Sequence, residues 1–115
     1  MTFICHPTCT TCKKARVFLE ERGIAFEIRD IREKNPSAEE LLRWKECSGL
    51  PLKRFFNTSG MQYRALGLSA KLPDMSEADQ LALLASDGML VKRPILVGDG
   101  FVLVGFRAAE WEARF

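Results

Sequence analysis

The sequence predicts an α/β fold with a mixed four-stranded sheet, and three patterns support this prediction. The first thirty residues read as strand, helix, strand, which is a βαβ unit. The middle of the chain carries helical periodicity and capping signals, and the last part reads as two strands followed by a helix. The length, 115 residues, suits one domain, so we expect a single domain over residues 1–115.

The opening βαβ unit is defined by apolar spacing and by its breaks. The apolar run Thr2–Cys5 predicts a buried strand that ends before Pro7, because proline cannot donate to a strand ladder. Thr10–Arg22 has apolar residues at helical spacing, and Gly23 follows as glycine often does just past a helix end. Ala25–Asp30 alternates apolar and polar residues, which predicts a strand with one solvated face. The two strands are expected to run parallel.

The remaining elements follow from capping and turn signals. Ser37 with Glu40 forms a capping-box pattern that opens a helix to Ser48. The run Gly98-Asp99-Gly100 is a hairpin signal between two apolar runs. The other predicted helices are Leu52–Phe56, Tyr63–Leu66, Ser76–Leu84 and Ala108–Phe115, the flanking strands are Pro94–Val97 and Phe101–Val104, and the aromatic residues interpreted as core are Trp44, Phe55, Phe56 and Trp111.

The chemistry of the chain is predicted to lie in Cys9 and Cys12, a C-x-x-C pair between the first strand and the first helix. At a helix N-terminus the unpaired backbone N–H groups and the helix dipole favour an anion, so a thiolate at Cys9 is stabilised. Such settings lower the pKa of a thiol from about 8.5 to roughly 3.5–7.5. Cys12, one turn later, is placed to attack a mixed disulfide on Cys9. Lys13, Lys14 and Arg16 add positive charge nearby.

Two other interpretations of the cysteines stay open. The pair could be buried structural residues, since free cysteine is among the most buried residue types. Cys5, Cys9, Cys12 and Cys47 could also form a four-thiolate zinc site. Zinc ribbons normally have two cysteine pairs, and only one is present here. We therefore expect no metal and no cofactor.

Arg93-Pro94 is the second feature with a chemical meaning. The order of elements resembles a thioredoxin-like fold with helices inserted in the middle. Such folds place a cis-proline beside the active cysteine, and Pro94 occupies that place at the start of a strand. Arg93 is then predicted to point at the anion that Cys9 attacks, against the alternative of a surface arginine. His6 is interpreted as a hydrogen-bonded or solvent-facing histidine at a strand end rather than a catalytic one.

The motifs together resemble the ArsC/Spx superfamily, the arsenate-reductase-like branch of the thioredoxin fold, and in particular its small YusI-type members. The resemblance covers essentially the whole chain. The matching segments are Pro7–Arg16, Leu66–Leu68, Asp87–Ile95 and Val104–Phe106.

The resemblance implies a thiol-based enzyme. In arsenate reductases the cysteine at the Cys9 position attacks arsenate, three arginines hold the oxyanion, and glutathione with glutaredoxin completes the cycle. Arg93 matches one of these arginines and Arg107 a second, with a one-residue gap; Thr10 is also assigned to anion binding. Asn57 stands at the third arginine position. The substrate is therefore left as arsenate, another oxyanion or a disulfide.

The second cysteine leads to an alternative function. Cys12 stands where glutaredoxin-coupled reductases usually have serine, so an internal disulfide is possible and thioredoxin becomes a candidate donor. In this respect the chain is similar to Spx, a regulator that binds RNA polymerase and senses oxidation through its C-x-x-C. The alternative to an enzyme is therefore a redox-sensing regulator with RNA polymerase as its partner.

Bulk composition limits the other function classes. A net charge of only +2 does not predict direct nucleic-acid binding. No apolar run approaches the roughly 20 residues that span a bilayer, and the N-terminus lacks a signal-peptide pattern. We therefore expect no membrane partner, a cytoplasmic location with mostly reduced thiols, and a monomer.

Overall fold

The computed structural model describes residues 1–115. None of its helices combines the length and the apolar character that crossing a bilayer requires. The strands are β1 (Thr2–Cys5), β2 (Glu27–Asp30), β3 (Ile95–Val97) and β4 (Val102–Val104), the α-helices are α1 (Thr10–Glu21), α2 (Ala38–Ser48), α3 (Met61–Ala65), α4 (Leu68–Lys71), α5 (Glu77–Ser86) and α6 (Ala108–Arg114), and short 3-10 helices cover Leu52–Phe55, Leu72–Asp74 and Gly88–Leu90.

The four strands form one mixed sheet in the order β2-β1-β3-β4. β1 pairs with β2 in parallel, as a βαβ unit requires, and antiparallel with β3. β3 and β4 form the antiparallel hairpin predicted around residues 98–100. The predicted fold class, α/β with a mixed four-stranded sheet, is therefore confirmed.

Alternation along β1 divides the core between the two faces of the sheet. Ile4 faces a large cluster under the inserted helices, and its neighbour Phe3 faces a smaller one under α1 and α6. The smaller cluster consists of Phe3, Cys5, Cys12, Ala15, Phe18, Leu19, Leu96 and Trp111. Helices therefore cover both faces, and Cys12 belongs to the core of one of them.

Tertiary context changed three details of the predicted elements. β2 was expected to bury one face, but none of its residues is buried and Ile28 is 50% exposed. α4 and the 3-10 turn that follows were not predicted. Gly67 follows the end of α3, as predicted, and with its positive φ of 63° it also stands directly before α4. The 3-10 turn at Gly88–Leu90 was also missed, and it is capped by the side chain of Asp87.

The predicted capping box is present and takes part in a larger clamp. The hydroxyl of Ser37 accepts from the backbone N–H of Glu40, and the carboxylate of Glu40 accepts from the backbone N–H of Ser37. Arg29 on β2 donates two hydrogen bonds to the same carboxylate, at 2.7 and 2.9 Å. A bidentate pair of this kind fixes the start of α2 against the edge of the sheet.

Candidate redox site

Cys9 is the N-cap residue of α1, where the first helical amides have no backbone partner. Its extended backbone (φ −74°, ψ 124°) is held on both sides. The Cys9 N–H donates to the carbonyl of His6 at 3.1 Å, and the Cys9 carbonyl accepts from the N–H of Lys13 at 3.1 Å. The side chain is half-buried, so its sulfur remains reachable from solvent. The predicted position at the helix start is therefore the one that the structure has.

Competing effects set the pKa of the Cys9 thiol. Burial opposes ionisation and is the largest single effect, but it is outweighed by donors around the sulfur. These donors are the backbone N–H groups of Cys12 and Thr11, the Cys12 thiol and the Arg93 guanidinium, and they lower the pKa below its ordinary value. The thiol of Cys9 is thus the more readily ionised one of the pair.

Cys12 differs from Cys9 in almost every respect. It is buried in the cluster beneath α1, and burial raises the pKa of its thiol to about 12. The proximity of the Cys9 sulfur raises it further, while a hydrogen bond from the backbone of His6 acts in the opposite direction. Cys12 therefore keeps its proton while Cys9 is ionised, and its thiol donates that proton toward the Cys9 sulfur.

Two other titratable groups near the pair, Cys5 and His6, also have shifted pKa values. Burial and the nearby carboxylate of Asp30 raise the pKa of the Cys5 thiol. Burial and the positive charges of Arg93 and Arg32 lower the pKa of His6, whose ring nitrogen Nδ1 accepts from the N–H of Thr8 at 3.2 Å. The interpretation of His6 as a hydrogen-bonded histidine fits this contact.

Among the basic residues predicted near Cys9, Arg93 is the one that lowers the pKa of its thiol. Lys13 and Lys14 are exposed, and Arg16 pairs with Glu20 on the same helix. Arg93 comes from the other end of the chain and lines the same cavity as Cys9.

Arg93 stands just before the start of β3, next to Pro94. The Arg93–Pro94 peptide bond is cis, Pro94 is buried, and its carbonyl accepts from the N–H of Gly105 at 2.8 Å. The Arg93 guanidinium also lies 4.0 Å from the sulfur of Met89 and is in no ion pair. An arginine without a carboxylate partner beside a thiolate is available to an anionic ligand.

A cavity of about 420 Å³ opens at the Cys9 sulfur. Its basic side chains, Lys92 and Arg93, have no acidic neighbour in the lining, and two side-chain amides add further donors. The full lining is Cys9, Thr11, Asn57, Ser59, Gly60, Met61, Gln62, Met89, Lys92 and Arg93. The cavity therefore suits a small polar or anionic ligand.

The remaining predicted anion-binding residues do not line this cavity. Arg107 lines a neighbouring cleft and forms an exposed ion pair with Glu110 at 3.6 Å. Thr10 is exposed and lines neither space, so its part in anion binding stays a prediction. Thr11 and Lys92, which sequence reasoning did not select, line both. Lys92 was visible in the sequence as the neighbour of Arg93, whereas nothing in the sequence distinguished Thr11 from Thr10.

The zinc alternative finds no support in the side-chain geometry. No group of three or more cysteine, histidine or acidic side chains is arranged to hold a metal ion. All four cysteines are free thiols, and Cys47 lies exposed on α2, apart from the buried cluster that holds Cys5 and Cys12. Cys47 is therefore not placed to complete a four-thiolate site with Cys5, Cys9 and Cys12.

Comparison with known proteins gives relatives along the whole chain. The chain is 53% identical to YusI of Bacillus subtilis (strain 168) over 115 residues, which covers all of this chain and 98% of that protein. It is 27% identical over 110 residues to the regulatory protein MgsR of the same organism, covering 96% of this chain and 86% of MgsR.

Solved structures match equally well. An ArsC family related protein from Bacteroides fragilis is 53% identical with a TM-score of 0.95, covering 97% of this chain and 94% of that one. A protein described as a possible arsenate reductase from Streptococcus mutans UA159 is 45% identical with a TM-score of 0.90, covering 99% and 97%. The family model of the ArsC family matches residues 5–114. The chain therefore belongs to the ArsC family, and its fold is thioredoxin-like.

Proposed function

We propose that this protein is a thiol–disulfide oxidoreductase in which Cys9 is the nucleophile and Cys12 the resolving thiol. The observation that carries the proposal is the difference between the two sulfurs. One is half-exposed with a lowered pKa, and the other is buried with a pKa of about 12 and hydrogen-bonded to the first. Such an arrangement suits a reaction in two steps, since the thiolate is the attacking form of cysteine.

With a disulfide substrate the two steps balance as follows. The Cys9 thiolate attacks one substrate sulfur, forms a mixed disulfide and releases the other sulfur as a thiolate. The sulfur of Cys12, giving up its proton, then attacks Cys9, forms the Cys9–Cys12 disulfide and releases the second substrate thiol. The protein loses two electrons and the substrate gains them. Thioredoxin, or glutathione with glutaredoxin, would return the pair to the dithiol in the cytoplasm.

An oxyanion such as arsenate is the other substrate class that the site could take. The cavity at Cys9 offers Arg93 and Lys92 to the anion, and the similar protein from Streptococcus mutans is described as a possible arsenate reductase. Asn57 also lines the cavity, so an amide stands in the wall where the family resemblance places an arginine. An amide contributes a neutral hydrogen bond in place of a charge-assisted one, which weakens oxyanion binding.

Reduction assays with cysteine variants test the proposal. The wild type, Cys9→Ser and Cys12→Ser are each supplied with arsenate or with hydroxyethyl disulfide, using thioredoxin in one series and glutathione plus glutaredoxin in another. The rate of each donor system alone is subtracted, because these thiols reduce hydroxyethyl disulfide directly. We expect Cys9→Ser to abolish the remaining, protein-dependent turnover and Cys12→Ser to accumulate a mixed disulfide at Cys9, visible as a mass increase. Cys47→Ser is the matched control, because that thiol is exposed and distant from the buried cluster. Full turnover by Cys9→Ser would refute the proposed nucleophile.

A redox-controlled regulator is the second candidate function. It is favoured by the similarity to MgsR, a regulatory protein that this chain matches over 96% of its length. In that role, formation of the Cys9–Cys12 disulfide would change a surface that contacts RNA polymerase. A pull-down with purified RNA polymerase, using the reduced and the oxidised protein, tests it. Binding in one redox state only supports the regulator, and no binding in either state eliminates it.

A further inference from the structure

A second cleft adjoins the Cys9 cavity and has twice as many basic residues in its lining. Its volume is about 630 Å³, larger than the 420 Å³ at the thiol. Four of its lining residues are basic and none is acidic. The full lining is Thr11, Pro51, Lys53, Arg54, Phe56, Thr58, Lys92, Val104, Gly105, Phe106 and Arg107.

The cations of this cleft are largely free. Lys53, Arg54 and Lys92 form no ion pair, and only Arg107 has a carboxylate partner, Glu110, in an exposed contact at 3.6 Å. Because like charges gathered without counter-charge repel each other, a surface of this kind is stabilised by an anionic ligand. The cleft, which we call the basic cleft, therefore has an unmatched positive potential.

The basic cleft and the Cys9 cavity meet at Thr11 and Lys92, which line both. Gly105 lies at this junction, and a methyl group at this position would lie 3.0 Å from Cε of Lys92. Gly105 also has a positive φ of 72°, which other residues rarely adopt. The Lys92 stem therefore lies against the backbone of Gly105 at the boundary between the two spaces. A ligand whose sulfur reaches Cys9 can extend past this point into the basic cleft.

We propose that the basic cleft binds the phosphate-bearing end of a nucleotide-linked thiol, whose disulfide Cys9 then attacks. This proposal rests on the proposed oxidoreductase function and names its substrate class. The charge pattern favours phosphates over amino-acid carboxylates. A γ-glutamyl thiol carries an ammonium group with each pair of carboxylates, and the cleft has no acidic side chain to accept it. Several phosphates match four cations directly, and arginine binds phosphate in bidentate fashion.

The apolar part of the lining fits the rest of such a ligand. Pro51 is exposed and Phe106 half-buried, so both present apolar surface inside the cleft, whereas Phe56 and Val104 are buried behind them. Phe106 is held from the rear by edge-to-face packing on Trp111, with ring centroids 5.0 Å apart. An aromatic side chain fixed in this way offers a surface on which a nucleobase can lie.

The reaction is the one written above with a symmetrical nucleotide-linked disulfide as substrate. The Cys9 thiolate displaces one nucleotide-linked thiolate and holds the other half as a mixed disulfide. Cys12 then displaces the second half, and the two electrons of the dithiol end in two free thiols. No further oxidant or reductant enters this half-reaction.

The test compares three disulfides with the reduced protein in single-turnover reactions. Coenzyme A disulfide carries phosphates, glutathione disulfide carries carboxylates with ammonium groups, and hydroxyethyl disulfide is neutral. We expect the rate constant for coenzyme A disulfide to exceed that for each of the others by about tenfold or more at low salt. Raising the salt to about 0.5 M should remove most of this advantage, because exposed charges are screened.

A charge-neutralised variant assigns the effect to the cleft. In Lys53→Ala/Arg54→Ala the ratio of the coenzyme A to the hydroxyethyl rate constant should fall about fivefold to tenfold. Lys34→Ala/Arg43→Ala removes two exposed cations elsewhere and should leave the ratio unchanged. A wild-type ratio near one, no effect of salt on it, or an equal rate with glutathione disulfide would overturn the proposal while the oxidoreductase function stands. Failure to reduce any of the three disulfides would refute both.

Discussion

The contact between Arg93 and the Cys9 sulfur is the feature of the site that depends most on the folded structure. Replacing Arg93 by methionine keeps much of the side-chain length but removes the charge and the donors. Burial is the largest influence on the Cys9 thiol and acts against ionisation, so each lost donor moves the balance toward the protonated form. The variant should therefore have a higher pKa at Cys9 than the wild type.

The size of the effect follows from the strength of one charge-assisted hydrogen bond. Such bonds contribute about 1.5–3 kcal/mol, and because Arg93 is only half-buried we take the lower end. About 1.5 kcal/mol corresponds to a little over a tenfold loss of thiolate. A more basic thiolate is also a better nucleophile. With a Brønsted coefficient of about 0.4–0.5, the rate constant of the thiolate itself rises roughly threefold. The net change is about fourfold slower attack at a pH where Cys9 is mostly protonated, and about threefold faster attack at a pH where Cys9 is fully ionised in both proteins.

Iodoacetamide alkylation followed over a pH series measures both regimes in one experiment. Cys47→Ser serves as the background, so that the exposed thiol does not obscure the signal. The two pH profiles are expected to cross. Arg54→Met is the matched control, since Arg54 lines the basic cleft but not the Cys9 cavity, and its profile should follow the background. Superimposed profiles, or a variant slower by one factor at every pH, would refute the assigned role of Arg93.

Three further predictions concern the resolving thiol and the fold. Cys12→Ser should slow the release of a mixed disulfide from Cys9 by more than about a hundredfold, measured by mass spectrometry. The reason is that no other thiol is as close to the Cys9 sulfur as that of Cys12. Arg29 holds the pKa of Glu40 at about 2, so their pairing stabilises the fold above pH 4.5 and this stabilisation is lost as the pH falls toward 2. In Glu40→Gln, the change in the free energy of unfolding between these pH values should be smaller by about 1–2 kcal/mol, measured by urea titration at each pH. Gly88→Ala should lower the free energy of unfolding by about 1–3 kcal/mol, because its methyl group would overlap a backbone carbonyl.

The elements that carry the site were predictable because their signals are local. Thr2–Cys5 is a continuous apolar run before proline. Ser37 and Glu40 accept hydrogen bonds from each other's backbone N–H groups, so this helix N-terminus is capped within four residues. The cysteine pair lies directly after the strand and Cys9 caps the helix, so its environment follows from the first dozen residues. Interactions closed within a few residues need no knowledge of the rest of the fold.

The parts that sequence reasoning missed depend on contacts between distant segments. Thr10 and Thr11 are chemically identical neighbours, and only the direction of the first helical turn decides that Thr11 lines both spaces. Arg107 follows the last strand, and its separation from Cys9 depends on how α6 packs. The exposure of Ile28 was missed because an alternating pattern does not reveal whether another element covers the apolar face of the strand. Each of these outcomes is set by tertiary packing.

The asymmetry between the two cysteines joins the local and the distant parts of this account. Spacing alone puts both sulfurs at the start of one helix, where the helix dipole favours ionisation of either. The smaller cluster decides between them, because Cys12 is buried in it while Cys9 remains at its margin. Arg93 then reaches the Cys9 sulfur from a loop some eighty residues away. Reactivity at Cys9 should therefore be sensitive to substitutions in the core beneath α1, even where they do not touch either sulfur.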